Sequence, residues 1–134
     1  MLFMTTRLAT PFATLLIAVG LTGLAACGGG ATTGGTVPAD ADVVVKAIDG
    51  VAWDQKSYEA TATDGKVTIY VENDSSIAHN MYVLDANDKV QGTYVELSTK
   101  GSHDTRVLPL APGTYQIVCK VPGHNNMNAS LTVK

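Results

Sequence analysis

The 134-residue sequence predicts an all-β domain, a Greek-key β-sandwich of seven to eight strands. Short runs of β-branched and aromatic residues recur between turn signals such as Asp64-Gly65 and Pro112-Gly113. Apolar and polar residues alternate within these runs, and no long segment after the first 27 residues has a helical period. Evenly spaced short strands of this kind are typical of β-sandwiches and barrel-like folds.

The predicted strands follow one another from residue 43 to the end of the chain. Gly and Pro close several of them, because these residues favour turns and interrupt a strand ladder. Residues 52–62 are irregular, with a short strand near their end. The predicted strands are 43–48, that short strand, 67–72, 77–84, 90–97, 103–108, 114–120 and 129–134.

The first 41 residues lie outside the predicted fold. Residues 1–26 have the charged start and short apolar run of a secretory signal, and the run is too short for a typical membrane-spanning helix. The residues that end at Cys27, Leu-Ala-Ala-Cys, resemble the bacterial lipobox, in which the cysteine is lipidated and begins the mature protein. We expect lipid on Cys27; ordinary cleavage leaving a free thiol is the alternative. Residues 27–41 then form a flexible Gly/Thr/Ala-rich tether, and residues 42–134 form the domain.

Length and charge narrow the classes of partner. The 108 residues from Cys27 onward are enough for one small domain with one core. The formal charge is −3 for the whole chain and −4 without Arg7. A mildly acidic surface argues against a nucleic-acid partner. A monomer is the expected state.

Cys119 is the residue that first indicates a function. It is the only cysteine besides Cys27, so it has no disulfide partner, and an unpaired cysteine in an exported protein needs a reason. His124 follows after a gap of four residues and Met127 after two more, while His79 lies forty residues upstream of Cys119. Two imidazoles, a thiolate and a weak thioether are the ligand set of a blue-copper electron-transfer site.

Strand periodicity supports convergence of these side chains. Cys119 shares the apolar face of its run with Ile117, and His79 shares a core face with Met81. Both candidate ligands stand at strand ends, which a sandwich can bring to one pole. A Pro-Gly turn after Cys119 lets the chain fold back toward the same point.

The chemistry of this set indicates electron transfer rather than catalysis. Burial would raise the pKa of the Cys119 thiol, whereas a bound copper ion keeps the sulfur deprotonated. Protein donors occupy every coordinating position, so no position is left for a substrate. Asn80, next to His79, is expected to tie the two ligand-bearing segments together from outside the ligand set.

Two stretches resemble the cupredoxin family. Residues 112–115 (Pro-Gly-Thr-Tyr) before Cys119 and 122–124 (Pro-Gly-His) after it resemble the family's C-terminal ligand loop, and residues 71–73 leading to His79-Asn80 resemble its first ligand strand. The resemblance implies a Greek-key sandwich with an apolar docking patch around the exposed edge of His124, where redox partners exchange electrons. It also implies one type 1 copper ion bound by His79, Cys119, His124 and Met127.

One spacing departs from the family pattern. The two-residue gap from His124 to Met127 is shorter than in members with the same Cys-to-His gap. Met81 is the other methionine that could supply the axial thioether, but its inward position in a strand favours the core. A binuclear copper centre like that of cytochrome oxidase subunit II needs a second cysteine in this loop, and Cys119 stands there alone.

The remaining residues favour a carrier. The chain has three histidines, two of them assigned, so the further copper centre of an oxidase or reductase has too few ligands. His103 is expected to be exposed, Trp53 to lie in the core, and Tyr115 to form a tyrosine corner. We therefore predict a non-enzymatic, lipid-anchored electron carrier on the outer side of the cytoplasmic membrane or in the periplasm or cell envelope. The alternative is a copper-binding lipoprotein for copper delivery, buffering or sensing.

Overall fold

The computed structural model describes residues 34–134, which contain nine strands and no helix. No helix long and apolar enough to cross a membrane occurs within this range. The predicted signal and the predicted lipidation of Cys27 lie outside the described residues. The strands are β1 (Val43–Ile48), β2 (Ala52–Trp53), β3 (Ser57–Ala60), β4 (Lys66–Asn73), β5 (His79–Leu84), β6 (Val95–Leu97), β7 (His103–Pro109), β8 (Gly113–Val118) and β9 (Asn128–Val133).

The strands form two sheets that pack as a sandwich. One sheet has the order β2-β1-β4-β7 and the other the order β3-β9-β8-β5-β6. Most neighbours are antiparallel, whereas β1 runs parallel to β4 and β3 runs parallel to β9. The chain therefore passes repeatedly from one sheet to the other, and the predicted β-sandwich is confirmed.

The main departure from the predicted strands lies between residues 85 and 94. The predicted run 90–97 contains only the short strand β6 and an isolated bridge from Val90 to Leu84. The carboxylate of Asp85 accepts hydrogen bonds from the backbone N–H groups of Asn87 and Lys89, which closes a turn directly after β5. Gly92 then takes a φ of +65°, a left-handed conformation that interrupts an extended strand.

Inward-facing side chains from both sheets form one core. β1 alternates buried and half-buried residues, as expected for a strand with one face on the core. Trp53 is 2% exposed, which agrees with its predicted core position. The Tyr115 hydroxyl donates to the Ala111 carbonyl at 2.8 Å, the bond of a tyrosine corner. The fully buried aliphatic side chains include Val45, Val67, Ile69, Val71, Leu97, Leu110, Ile117 and Leu131.

Residues 34–42 lie against the four-stranded sheet. The Asp42 N–H donates to the Thr68 carbonyl, and the Asp42 carboxylate accepts the Thr68 N–H in return. A Cβ on Gly34 would lie 2.8 Å from a carboxylate oxygen of Glu72, and one on Gly35 would clash with the His103 ring. The last part of the predicted tether therefore follows β4, from the level of Glu72 to that of Thr68.

Candidate metal centre

Three of the predicted ligands meet at one end of the sandwich. Their ligand atoms all lie within 4.8 Å of one another. The Cys119 Sγ lies 3.9 Å from His79 Nδ1 and 3.5 Å from His124 Nδ1. The two imidazole rings are 4.8 Å apart between centroids. The structure thus brings together side chains that are up to 45 residues apart in the sequence.

The strand pairing explains this convergence. Antiparallel pairing of β5 with β8 places the start of β5 beside the end of β8. His79 is the first residue of β5, and Cys119 directly follows β8. The side chains at both positions are buried, as the alternation of the strands predicts.

Two successive turns carry the chain from Cys119 back to the same end. The His124 N–H donates to the Val121 carbonyl at 3.0 Å, and the Met127 N–H donates to the His124 carbonyl at 2.9 Å. Gly123 has a φ of +88°, which glycine adopts without steric cost. The Cys119 N–H then donates to the Met127 carbonyl at 3.0 Å, so the loop closes on itself.

Met127 is 1% exposed at the point where this loop closes. The turn from His124 to Met127 accommodates the short spacing noted in the sequence. Met81 is also 1% exposed, and both methionines belong to the core cluster, but Met81 lies inside β5 in register with Val95 rather than in the loop after Cys119. Met127 as the axial ligand stays a prediction.

The donor spacing fits one transition-metal ion. Sulfur and imidazole nitrogen bind such ions at about 2.3 Å and about 2.0–2.1 Å, so donors around a tetrahedral or trigonal ion lie about 3.5–3.8 Å apart. The two observed S–N distances, 3.5 and 3.9 Å, are close to this range. A thiolate with two imidazoles suits copper or zinc rather than magnesium or calcium, and an additional weak thioether is typical of type 1 copper.

His79 is held on its far side by a serine that the sequence analysis missed. The Ser75 Oγ lies 2.8 Å from His79 Nε2, and both residues are 0% exposed. Burial, with a smaller contribution from His124, lowers the pKa of His79. The neutral imidazole, which is the form that binds metals, is therefore favoured.

Asn73, at the end of β4, shapes the loop that contains Ser75. Its side-chain oxygen accepts the Ser75 N–H at 2.9 Å, and its amide nitrogen donates to the carbonyls of Ile77 and Leu97 at 2.8 and 3.1 Å. The sequence signal is a polar Asn-Asp-Ser-Ser run typical of a loop with side-chain-to-backbone bonds. Nothing in that run identifies which of the two serines faces the histidine.

Asn80 contacts the cysteine segment in two ways. Its side-chain oxygen accepts the Lys120 N–H at 2.7 Å, which joins the β5 strand to the segment after β8 as the sequence analysis expects. Its backbone N–H also points at the Cys119 Sγ at 3.5 Å. This N–H and the two histidine Nδ1 atoms therefore all face the sulfur that is the candidate metal ligand.

Comparisons with known proteins agree on the architecture. The sequence matches no protein-family model and no curated protein. Among solved structures, the azurin Az-iso2 of Methylomonas sp. strain J has a TM-score of 0.61 and 16% identity, covering 72% of this chain and 99% of that one. The "blue" copper protein auracyanin A of Chloroflexus aurantiacus has a TM-score of 0.55 and 20% identity, covering 68% and 96%. The purple cupredoxin of Nitrosopumilus maritimus has a TM-score of 0.56 and 22% identity, covering 69% and 100%.

The chain has the cupredoxin fold. Each of the three structures is covered almost completely, and the match covers 68–72% of this chain.

The end of the sandwich that carries His124 is partly exposed to solvent. His124 is half-buried, and exposed residues flank it on both sides of the loop. Ile77, in the loop before His79, is 44% exposed. The flanking residues are Pro122, Gly123, Asn125 and Asn126, so apolar and amide groups border the histidine and no charged side chain belongs to this set.

His103 lies away from the three donors, as the sequence analysis expects. It is exposed at the start of β7, and its Nδ1 lies 3.0 Å from the Gly101 carbonyl. Its ring packs near Tyr70, with 5.9 Å between the ring centroids. These contacts give His103 a place on the outer face of the cupredoxin sandwich rather than in the metal centre.

Proposed function

We propose that this protein binds one type 1 copper ion through His79, Cys119 and His124, with Met127 as the weak axial ligand, and that it carries single electrons between redox proteins. The observation that carries the proposal is the position of the Cys119 sulfur, 3.5 and 3.9 Å from the Nδ1 atoms of two histidines. Auracyanin A, which shares the fold, is a "blue" copper protein.

The arrangement of the donors suits rapid one-electron exchange. A bound copper ion supplies the Cu(II)/Cu(I) couple. The protein holds the donors through backbone bonds of β5, β8 and the closed loop 119–127, so they need little rearrangement when the charge changes. Four protein donors leave no open position for a substrate, which favours a carrier over an enzyme.

Electron exchange through His124 follows from its partial exposure. His79, Cys119 and Met127 are buried, whereas His124 is half-buried, with exposed residues on either side of it at Pro122-Gly123 and Asn125-Asn126. A redox partner that docks there comes close to the metal without entering the core. The lack of charged residues in this flanking set favours a partner surface that is itself weakly charged.

The proposal includes export and a lipid anchor on Cys27. Its support is the signal-like start of the sequence and the course of residues 34–42. Gly34 packs against Glu72, which precedes Asn73, the residue that holds the loop before His79. Gly34 lies seven positions after Cys27, a span of at most about 25 Å. Lipid on Cys27 would therefore tether the domain to a membrane, within reach of membrane-bound partners.

The visible spectrum of residues 28–134 after addition of Cu(II) tests the proposal. We expect an intense red-region absorption that is lost in Cys119→Ser and kept in His103→Ala, which removes a histidine outside the centre. A redox titration of the same sample is expected to be reversible and to fit a one-electron couple. A colourless wild type that still binds copper would contradict electron transfer and favour copper handling.

A further inference from the structure

We infer that Ser75 is a positioning residue for the copper centre: its hydroxyl accepts the Nε2–H of His79 and so selects the tautomer whose Nδ1 lone pair faces Cys119. This inference deepens the proposed function and rests on it for the copper-loaded state. The tautomer of His79 in the metal-free protein can be tested without it.

The hydrogen-bond count at Ser75 determines the direction of the bond. The Ser75 Oγ lies 2.8 Å from His79 Nε2, 3.1 Å from the Ile77 carbonyl oxygen and 3.2 Å from the Ile77 nitrogen. A hydroxyl has one hydrogen and two lone pairs. The carbonyl can only accept, so the hydrogen goes to it, and the oxygen accepts from the Ile77 N–H and from Nε2–H.

The opposite arrangement is less favourable. If Ser75 donated to a bare Nε2, two oxygen atoms with no hydrogen between them would face each other 3.1 Å apart at Ile77. The proton of His79 would then lie on Nδ1, the atom 3.9 Å from the Cys119 sulfur, and would block coordination through it.

The serine cannot easily turn away from the histidine. Asn73 accepts its backbone N–H at 2.9 Å and also donates to Ile77, so the serine and its acceptor are held by one side chain. Asn73, Ser75 and His79 are each 0% exposed, and no bulk water competes for these bonds. The orientation of His79 is therefore set from the end of β4, in the opposite sheet.

A hydroxyl that accepts Nε2–H makes Nδ1 a stronger base. Outer partners of metal-bound histidines fix the ring and raise ligand basicity in this way. A more basic nitrogen favours Cu(II) over Cu(I), because the more highly charged ion gains more from electron donation. Ser75 should accordingly lower the reduction potential.

The experiment compares the wild type with Ser75→Ala, Ser75→Thr and Ser76→Ala in residues 28–134. Ser76 is the matched control because it lies in the same loop but bonds Asp49 rather than the histidine. ¹⁵N NMR of the metal-free proteins reports the tautomer of His79. We expect Nε2–H in the wild type, in Ser75→Thr and in Ser76→Ala, and a mixture of tautomers in Ser75→Ala.

The copper-loaded proteins provide the second readout. Ser75→Ala should weaken Cu(II) binding by roughly 10–100-fold. If the loss of Cu(I) affinity in this variant is tenfold smaller than the loss of Cu(II) affinity, the reduction potential rises by about 59 mV. Ser75→Thr and Ser76→Ala should stay near the wild type in both quantities.

Three results would overturn the inference. The first is a proton on Nδ1 of His79 in the metal-free wild type, which needs no variant to fold. The second is a wild-type tautomer and potential in Ser75→Ala, and the third is an equal shift in Ser76→Ala. A colourless wild type with the expected tautomer would instead contradict the proposed function while the role of Ser75 in orienting His79 stands.

Discussion

Two polar clusters lie near the same end of this sandwich, and they differ in how their buried groups are satisfied. Glu72, which is 4% exposed, bonds Lys46 Nζ at 2.6 Å and the Tyr70 hydroxyl at 2.9 Å, so each of its oxygens has a donor. We call Glu72, Lys46 and Tyr70 the carboxylate cluster. In the metal centre, by contrast, Cys119 and the Nδ1 atoms of two histidines face a common point. Buried groups that satisfy one another are structural, whereas buried sulfur and nitrogen donors that face a common point indicate a ligand.

The pKa shifts in the two clusters agree with this difference. The hydrogen bond to Glu72 raises the pKa of Lys46, and burial together with the bond to Glu72 raises the pKa of Tyr70 to about 12. Both shifts keep protons on the groups that donate hydrogen bonds to the carboxylate. Burial lowers the pKa of His79 and keeps protons off a group that would bind a metal.

The largest expected effect is stabilisation by copper. A ligand at 1,000 times its dissociation constant stabilises the folded state by about 4 kcal/mol, which raises the Tm of a domain of this size by roughly 15 °C or more. Calorimetry with and without Cu(II) should show this increment in the wild type and in variants of the carboxylate cluster. Its persistence in Cys119→Ser would show that copper binds elsewhere.

Removal of the cation from the carboxylate cluster should affect stability alone. Lys46→Met leaves the buried Glu72 carboxylate with one donor, at a cost of about 1–2 kcal/mol, because a buried acceptor loses a partner whose own side chain is 38% exposed and partly screened by water. Denaturant unfolding of the metal-free protein measures the loss, and the copper spectrum should stay unchanged.

Lys134→Met is the matched control for Lys46→Met. Lys134 pairs with Glu59 at 2.7 Å, but both side chains are more than half exposed, at 60% and 66%. Exposed pairs contribute little, so a change below about 0.5 kcal/mol is expected. Equal losses of unfolding free energy in the two lysine variants would contradict a larger contribution from the pair with the buried Glu72 carboxylate.

Replacement of the axial donor should change the potential and leave the thiolate–copper absorption in place. Met127→Leu removes a thioether of similar volume, and the loss of this weak donor disfavours Cu(II). A tenfold change in the Cu(II)/Cu(I) affinity ratio corresponds to about 59 mV. Met81→Leu, at a core position in β5, should leave the potential unchanged. Should the two variants give the same potential as the wild type, the axial assignment is wrong although the centre remains.

The smallest effect should appear at alkaline pH. The folded-state pKa of Tyr70 lies near 12, above the ordinary value of 10.0, so the stability that depends on its proton is fully present below pH 10 and is lost between pH 10 and pH 12. Tyr70→Phe should lower stability by about 1 kcal/mol at neutral pH through the lost hydrogen bond. It should also flatten the decline of unfolding free energy above pH 10. A decline as steep as in the wild type would show that Tyr70 keeps its ordinary pKa.

The strand runs and the C-terminal ligand loop were predictable because their signals are local. Alternation along residues 114–119 places Ile117 and Cys119 on the buried face, and both are buried in the structure. The Pro-Gly turn and the short spacings after Cys119 keep His124 close along the chain. The predicted strand over residues 90–97 was mostly wrong, because the Asp85 turn and the left-handed Gly92 outweigh the β propensity of that run.

The sequence by itself determined an all-β domain, the soft donors at Cys119, His124 and Met127, and a signal-like start whose role stays a prediction. Only the tertiary structure decided that His79 meets Cys119 across forty residues, that Ser75 rather than Ser76 holds the imidazole, and that Glu72 pairs with Lys46. Periodicity and turn chemistry report on neighbouring residues. Contacts between distant strands depend instead on how the two sheets pack, and no single segment of the chain specifies that packing.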